Sequence, residues 1–167
     1  MPIRPLDPTR DRALVDAFFQ SAADYIRLER DADPDAEVTE AFFTDAPPGC
    51  DPAISHRVGL FTDTLTGPNL EGIAEMSFGF PAATDAYIGL MVIAAAARGS
   101  GAGQTLLRHL EATARAQGAS HLYLGVLAAN RRGHAFWTRE GFTMALANRP
   151  VTIGQKTQLA HRLGKPL

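Results

Sequence analysis

The stretch that most narrows what this chain can become runs from Tyr87 to Gln117. A near-continuous apolar run, a glycine-rich turn and a helical pattern follow one another without interruption. Tyr87 to Ile93 is apolar at consecutive positions, as expected of a strand covered on both faces in mid-sheet. Arg98-Gly99-Ser100-Gly101-Ala102-Gly103-Gln104 follows. Leu106, Leu107, Leu110 and Ala114 then recur at helical spacing up to Gly118, which supplies a C-cap. His121 to Leu127 is a second apolar strand. Strand, turn, helix and strand in that order form a βαβ unit, whose two strands run parallel through a right-handed crossover. The fold class is α/β.

Around that unit the pattern changes. Ile3 to Leu6 reads as an edge strand because of Pro5. Ala13, Leu14, Ala17 and Phe18 predict a helix from Asp11 to about Ala23, and Val38 to Thr44 predicts one or two turns more. Between them, residues 31 to 37 are acidic and broken by Pro34, so a loop is expected. His56 to Thr62 and Leu70 to Gly79 read as two antiparallel strands joined around Gly67-Pro68-Asn69. A helix is expected from Arg132 to Glu140, then one or two closing strands between Phe142 and Leu163. The 167 residues suit one domain spanning 1–167.

Three glycines in five residues exceed the need of a tight turn. They let successive backbone N–H groups point inward, at the positive end of the following helix, and so favour a phosphate or diphosphate. Two nucleotide motifs fail on spacing. A P-loop needs Lys-Ser or Lys-Thr where Gln104-Thr105 stands, and a dinucleotide fingerprint needs its third glycine one residue later than Gly103. The stretch instead resembles motif A of the GCN5-related N-acetyltransferase (GNAT) superfamily, [QR]-x-x-G-x-[GA], with Arg98, Gly101 and Gly103 in its defined places. Met91-Val92-Ile93 before the turn, Asn130 after the next strand, and Ala135-Phe136-Trp137 leading to Gly141-Phe142 extend the similarity over about Tyr87 to Phe142.

That resemblance implies a mixed, mostly antiparallel twisted sheet flanked by helices, with two central parallel strands splayed apart. It implies acetyl-CoA as co-substrate and no metal. Pantetheine would pair with Met91, Val92 and Ile93, and the diphosphate would lie on the N–H groups from Gly99 through Ser100, Gly101, Ala102 and Gly103 to Gln104, with Arg98 at the loop's start. Asn130 would meet the pantetheine arm or cap the next helix, and Arg131 and Arg132 could meet the adenosine 3′-phosphate. Acceptor-side elements would occupy about 1–80, the cofactor core about 85–142 and closing strands 142–163. The reaction implied is acetyl transfer to a primary amine, a small molecule or a peptide N-terminus, by direct attack in a ternary complex. A homodimer is compatible with the resemblance. The alternative is a non-catalytic acyl-CoA-binding module.

Catalytic groups are less legible. The family's usual tyrosine after Asn130 is replaced here by Phe136 and Trp137, and an indole N–H is no proton source at neutral pH. Glu75, amid apolar residues, is the best carboxylate for a general base, because burial raises such a pKa. Tyr87, near the start of the central strand, and His56 are further candidates. Tyr25, Phe42 and Phe43 are candidates for the acceptor pocket. The acidic loop of Asp31, Asp33, Asp35 and Glu37 either attracts a cationic amine or is merely solvated. A net charge of -2 gives no general attraction to nucleic acid or to an anionic membrane. Cys50 is the only cysteine, which excludes an internal disulfide and reads as a spectator. With no apolar leader or spanning run, the cytoplasm is the expected location.

Overall fold

A computed structural model describes residues 1–167. The elements in chain order are β1 (Ile3–Pro5), α1 (Arg12–Ser21), α2 (Ala23–Arg30), α3 (Ala36–Thr44), β2 (His56–Thr64), β3 (Gly67–Phe78), β4 (Asp85–Ile93), α4 (Ala102–Ala116), β5 (His121–Leu127), α5 (Arg131–Arg139), β6 (Thr143–Ile153) and β7 (Lys156–Pro166). The strands form one sheet in the order β1-β2-β3-β4-β5-β7-β6. Every neighbouring pair is antiparallel except β4 and β5, which run parallel. This is the mixed sheet expected of a GNAT fold. No helix is long and apolar enough to cross a membrane.

The expected stripe of α4 is realised: Leu106, Leu107, Leu110 and Ala114 are fully buried with Ile73 and Met76 of the sheet. Full burial of each leucine removes enough apolar surface to contribute about 2 kcal/mol. The helix between Ala23 and Arg30 was not legible in the sequence. Only Ile26 and Glu29 of its eight residues are buried, so its apolar period is almost absent. Asp35 caps α3 by accepting from the N–H groups of Glu37 and Val38, which starts that helix at Ala36 rather than Val38. The β2–β3 hairpin turns at Leu65-Thr66, not around Gly67-Pro68-Asn69; Pro68 and Asn69 already pair with Asp63 and Thr62. The chain end forms two long strands, and β7 inserts between β5 and β6.

Under the far side of α4 lies a buried ion network. Glu111 and Glu140 are 3% and 5% exposed, and both are satisfied. The Lys165 Nζ donates to Glu111 Oε1 at 2.7 Å and to the Glu140 carbonyl at 2.9 Å. Arg108 bridges both carboxylates, at 2.9 and 2.7 Å. Glu111 therefore turns inward toward β7 and does not make the surface pair with Arg115 that its spacing allows. Burial alone would raise the Glu111 carboxyl; the hydrogen bonds from Lys165 and Arg108 outweigh it and leave the pKa lowered. Lys165→Met should cost about 2 kcal/mol at neutral pH, because Glu111 is left desolvated with one partner fewer. A lowered folded pKa gives stability that is present above about 4.5 and lost as pH falls through the folded value. Urea titrations of both proteins should thus show the deficit shrinking on acidification.

Candidate active site

β4 and β5 pair only along Asp85–Ile88 and His121–Leu124. Beyond those residues β4 stays with β3 as far as Ile93, and β5 stays with β7 as far as Leu127. The two strands therefore part toward their C-terminal ends, at a wedge closed below by α4. Ala94 N–H donates to Glu71 O at 2.9 Å on the β3 side. Strand alternation then sends the Val92 amide the same way and leaves those of Met91 and Ile93 facing the opening. A cleft of about 800 Å³ occupies the wedge, lined by Met91, Val92 and Ile93 on one bank and Ala129, Asn130 and Phe136 on the other.

The glycine turn forms the head of this cleft. Gly99 and Gly101 have φ of +84° and +92°, the left-handed region that a side chain disfavours. The N–H groups of Gly99, Gly101, Gly103 and Gln104 donate to no acceptor of the protein, whereas Thr105 N–H already bonds Gly101 O at 3.0 Å. Ser100 and Ala102 serve the loop itself. The Ser100 hydroxyl donates to Ala97 O at 2.7 Å, and Ala102 is core. A Cβ on Gly103 would meet the Phe136 ring at 3.2 Å, so glycine is what lets that ring pack against the helix start. Unpaired amides converging at a helix start can hold an anion such as a diphosphate.

Three side chains at the cleft are partly structural. Arg98 donates from Nε to Ile93 O at 3.0 Å and ion-pairs with Asp24, stapling the turn to β4 and α2. Gln104 Nε2 donates to Glu140 Oε1 at 2.8 Å, so only its backbone is offered to the cleft. Asn130 Oδ1 accepts from Gly133 N–H at 2.8 Å and caps α5, while the residue also lines the cleft. Trp137 is 7% exposed and packs edge-on between Phe136 and Phe142 at 4.8 and 5.2 Å. Its ring belongs to the core and lines the cleft.

A second cavity of about 460 Å³ adjoins the first along α2 and β4. Tyr25 and Leu28 face the cleft, while Ile26, Glu29 and Arg30 of the same helix face the second cavity. On β4 the division falls between Leu90 and Met91. Phe42 lines the second cavity. Tyr25 does not; it stands on the cleft wall with its hydroxyl beside Glu29. Phe43 lines neither, packing against Phe42 and beneath Arg12. The acidic loop does not reach this cavity either. Asp31 pairs with Lys156, Asp33 with Arg27, and Asp35 is a helix cap.

Glu75 is a buried carboxylate of the second cavity, 5% exposed. The β3–β4 register slips between Glu75 and Met76, which pair with Leu90 and Ile88 and leave Gly89 as a bulge. The carboxylate lies over that bulge and accepts from the Gly89 N–H; any Cβ at residue 89 would collide with it. Ser77 Oγ donates to Glu75 Oε1 at 2.6 Å, and Ser55 Oγ lies 2.9 Å from Ser77 Oγ. Burial raises the Glu75 pKa, although these hydrogen bonds and the Arg57 charge oppose it. Tyr87 is unsuited to accept a proton, because burial pushes its hydroxyl above the ordinary value. His56 is removed from both cavities; its Nε2 lies 2.9 Å from that of His109 on α4. Sequence reasoning missed Gly89, although a lone glycine inside an apolar strand is a recognised bulge signal.

Fold and site together define an acyltransferase-like wedge, and comparison with known proteins agrees. The model of the acetyltransferase (GNAT) family matches residues 15–142. The chain belongs to that family. Among solved structures, an acetyltransferase from Thermus thermophilus is similar at 24% identity and TM-score 0.74, over 99% of this chain and 96% of that one. The ribosomal-protein-alanine N-acetyltransferase from Brucella melitensis aligns at 19% identity and TM-score 0.73 over 100% of both chains. An N-acetyltransferase from Staphylococcus aureus aligns at 18% and 0.70, over 99% and 97%. At such identities the likeness is one of fold. No curated protein sequence matches the chain.

Proposed function

We propose that the chain moves an acetyl group from acetyl-CoA to a primary amine, a small molecule or a peptide N-terminus. The observation that carries this reading is the set of unpartnered amides at Gly99, Gly101, Gly103 and Gln104, at the head of a wedge between parting strands. The cleft would take the coenzyme and the second cavity the acceptor, with the reacting atoms meeting where the two adjoin, near Leu90 and Met91. Bound acetyl-CoA would supply an activated thioester. The Met91 and Ile93 amides face the opening, so they can donate to an acyl oxygen as it gains charge. Glu75, raised by burial, would take the proton that an ammonium must lose before its nitrogen can attack. The ribosomal-protein-alanine relative supports a peptide acceptor by analogy of fold alone.

A binding comparison tests the cleft before any chemistry. At about 100 times its Kd, CoA should add about 2.7 kcal/mol of stability and raise the melting temperature by several degrees. ATP and NAD at equal concentration should have little effect. Equal stabilisation by ATP or NAD would defeat the assignment. Release of free thiol from acetyl-CoA with a panel of amines then tests transfer. Tight CoA binding with no turnover across that panel would favour the acyl-CoA-binding module, a reading supported by Trp137 occupying the place of the family's acid.

A further inference from the structure

The second cavity carries two cations that nothing in the protein neutralises. Arg149 on β6 and Arg162 on β7 both line it. Arg149 lies opposite Ala160, two residues from Arg162, so strand alternation puts both guanidinium groups on one face. Neither makes an ion pair, unlike Arg98 and Arg108 elsewhere in the molecule. Arg162 is the more telling. Its Nε is buried without a hydrogen-bond partner. Its guanidinium lies 5.0 Å over the Phe80 ring and beside the Tyr87 hydroxyl. Those contacts orient the group and leave its charge uncompensated. A buried, unsatisfied, charged donor is costly, and an anion from outside would relieve it with the two-pronged geometry that arginine favours.

The same cavity also has acidic groups. Glu75 sits over the bulge at Gly89, and Asp45 follows α3. Glu29 also lines the cavity, but its Oε1 lies 3.5 Å from Arg30 Nε and its carboxylate lies beside the Tyr25 hydroxyl. The cavity is therefore bipolar: a base at the β3–β4 wall and free cations at the β6–β7 wall. We infer that the acceptor is a free amino acid or a close analogue, its anionic group held by Arg162 and Arg149 while its amine faces Glu75. This rests on the proposed acetyl transfer and narrows its acceptor. An ordinary peptide N-terminus carries a neutral amide where a free amino acid carries its carboxylate, and would leave both arginines unanswered.

Each common amino acid would be compared with its own carboxamide as acceptor at saturating acetyl-CoA. At least one amino acid should be used about 10-fold or more better than its amide in kcat/KM, the size expected for one charge-assisted contact. In Arg162→Gln that ratio should fall toward unity, chiefly through KM; Arg149→Gln should lower it less and serves if Arg162→Gln does not fold. Binding of N-acetyl amino acids against N-acetyl amino amides in the presence of CoA requires no turnover. If no amine is acetylated but the carboxylates still bind in an Arg162-dependent way, acetyl transfer fails while the anion site stands. If amides or peptides with an acidic first residue are used equally well or better, the inference is overturned. It is likewise overturned if N-acetyl acids and amides bind alike.

Discussion

Glu75→Gln is expected to lower kcat/KM for the amine by about 100-fold or more, within the usual range for losing a positioned base. The acetyl-CoA affinity should stay within a few-fold, because Glu75 belongs to the second cavity and not to the cleft. The pH profile should change with it. Wild-type kcat/KM should rise as pH climbs through the raised Glu75 pKa, since only the carboxylate accepts a proton. The variant should lose that limb. Stability should move the other way. A folded pKa above the ordinary 4.5 means the folded protein holds a proton that the unfolded chain has released. Wild-type stability therefore falls as pH rises from about 4.5 through the folded value. Glutamine removes the charge and keeps one oxygen acceptor for the Gly89 N–H, while its NH2 can donate to the Ser77 Oγ, so the variant's melting temperature should gain on wild type as pH rises. Retention of wild-type kcat/KM with an unchanged profile would remove Glu75 from the mechanism.

Gly101→Val is expected to weaken CoA binding by about 100-fold. At φ +92° an L-residue costs roughly 1–2 kcal/mol, and a β-branched side chain costs more. The loop can escape that strain only by rotating the peptides on either side, which takes the free amides at Gly101 and Gly103 out of convergence. Losing two charge-assisted hydrogen bonds would account for about 3 kcal/mol, hence the two decades. Calorimetric titration with CoA checks it. Gly118→Val is the control, since that glycine has φ +81° at the far end of α4 with nothing near its Cβ position. It should lose comparable stability and bind CoA as wild type does. Unchanged affinity in Gly101→Val would show that the turn holds no diphosphate.

These two positions stand at opposite ends of what could be read from the chain. Gly101 was legible because its requirement is local. A left-handed turn ahead of an amphipathic helix leaves a pattern within a few residues, and the apolar strands on either side declare a βαβ unit. Glu75 was legible only as a buried carboxylate. The bulge that receives it depends on how β3 and β4 slip past one another, a pairing of Glu75 with Leu90 and Met76 with Ile88 that neither strand encodes alone. Arg98 matched the motif and Gln104 follows it directly, yet their side chains are spent on Asp24 and Glu140, from distant parts of the chain. Residue type and spacing identified their place in the turn without their partners.

From the order of residues alone came the α/β class, the central crossover and the glycine turn, each following from periodicity or backbone freedom over short range. So did the family resemblance, carried by the motif from Arg98 to Gly103 and its flanking residues. Tertiary structure alone decided that α2 exists and walls both cavities, that β7 enters between β5 and β6, and that Arg149 and Arg162 line the same cavity as Glu75. The physical reason is the same in each case. α2 hides too little apolar surface to print a pattern, and strand order and side-chain convergence depend on contacts between segments far apart in sequence, whose free energy belongs to the packed whole.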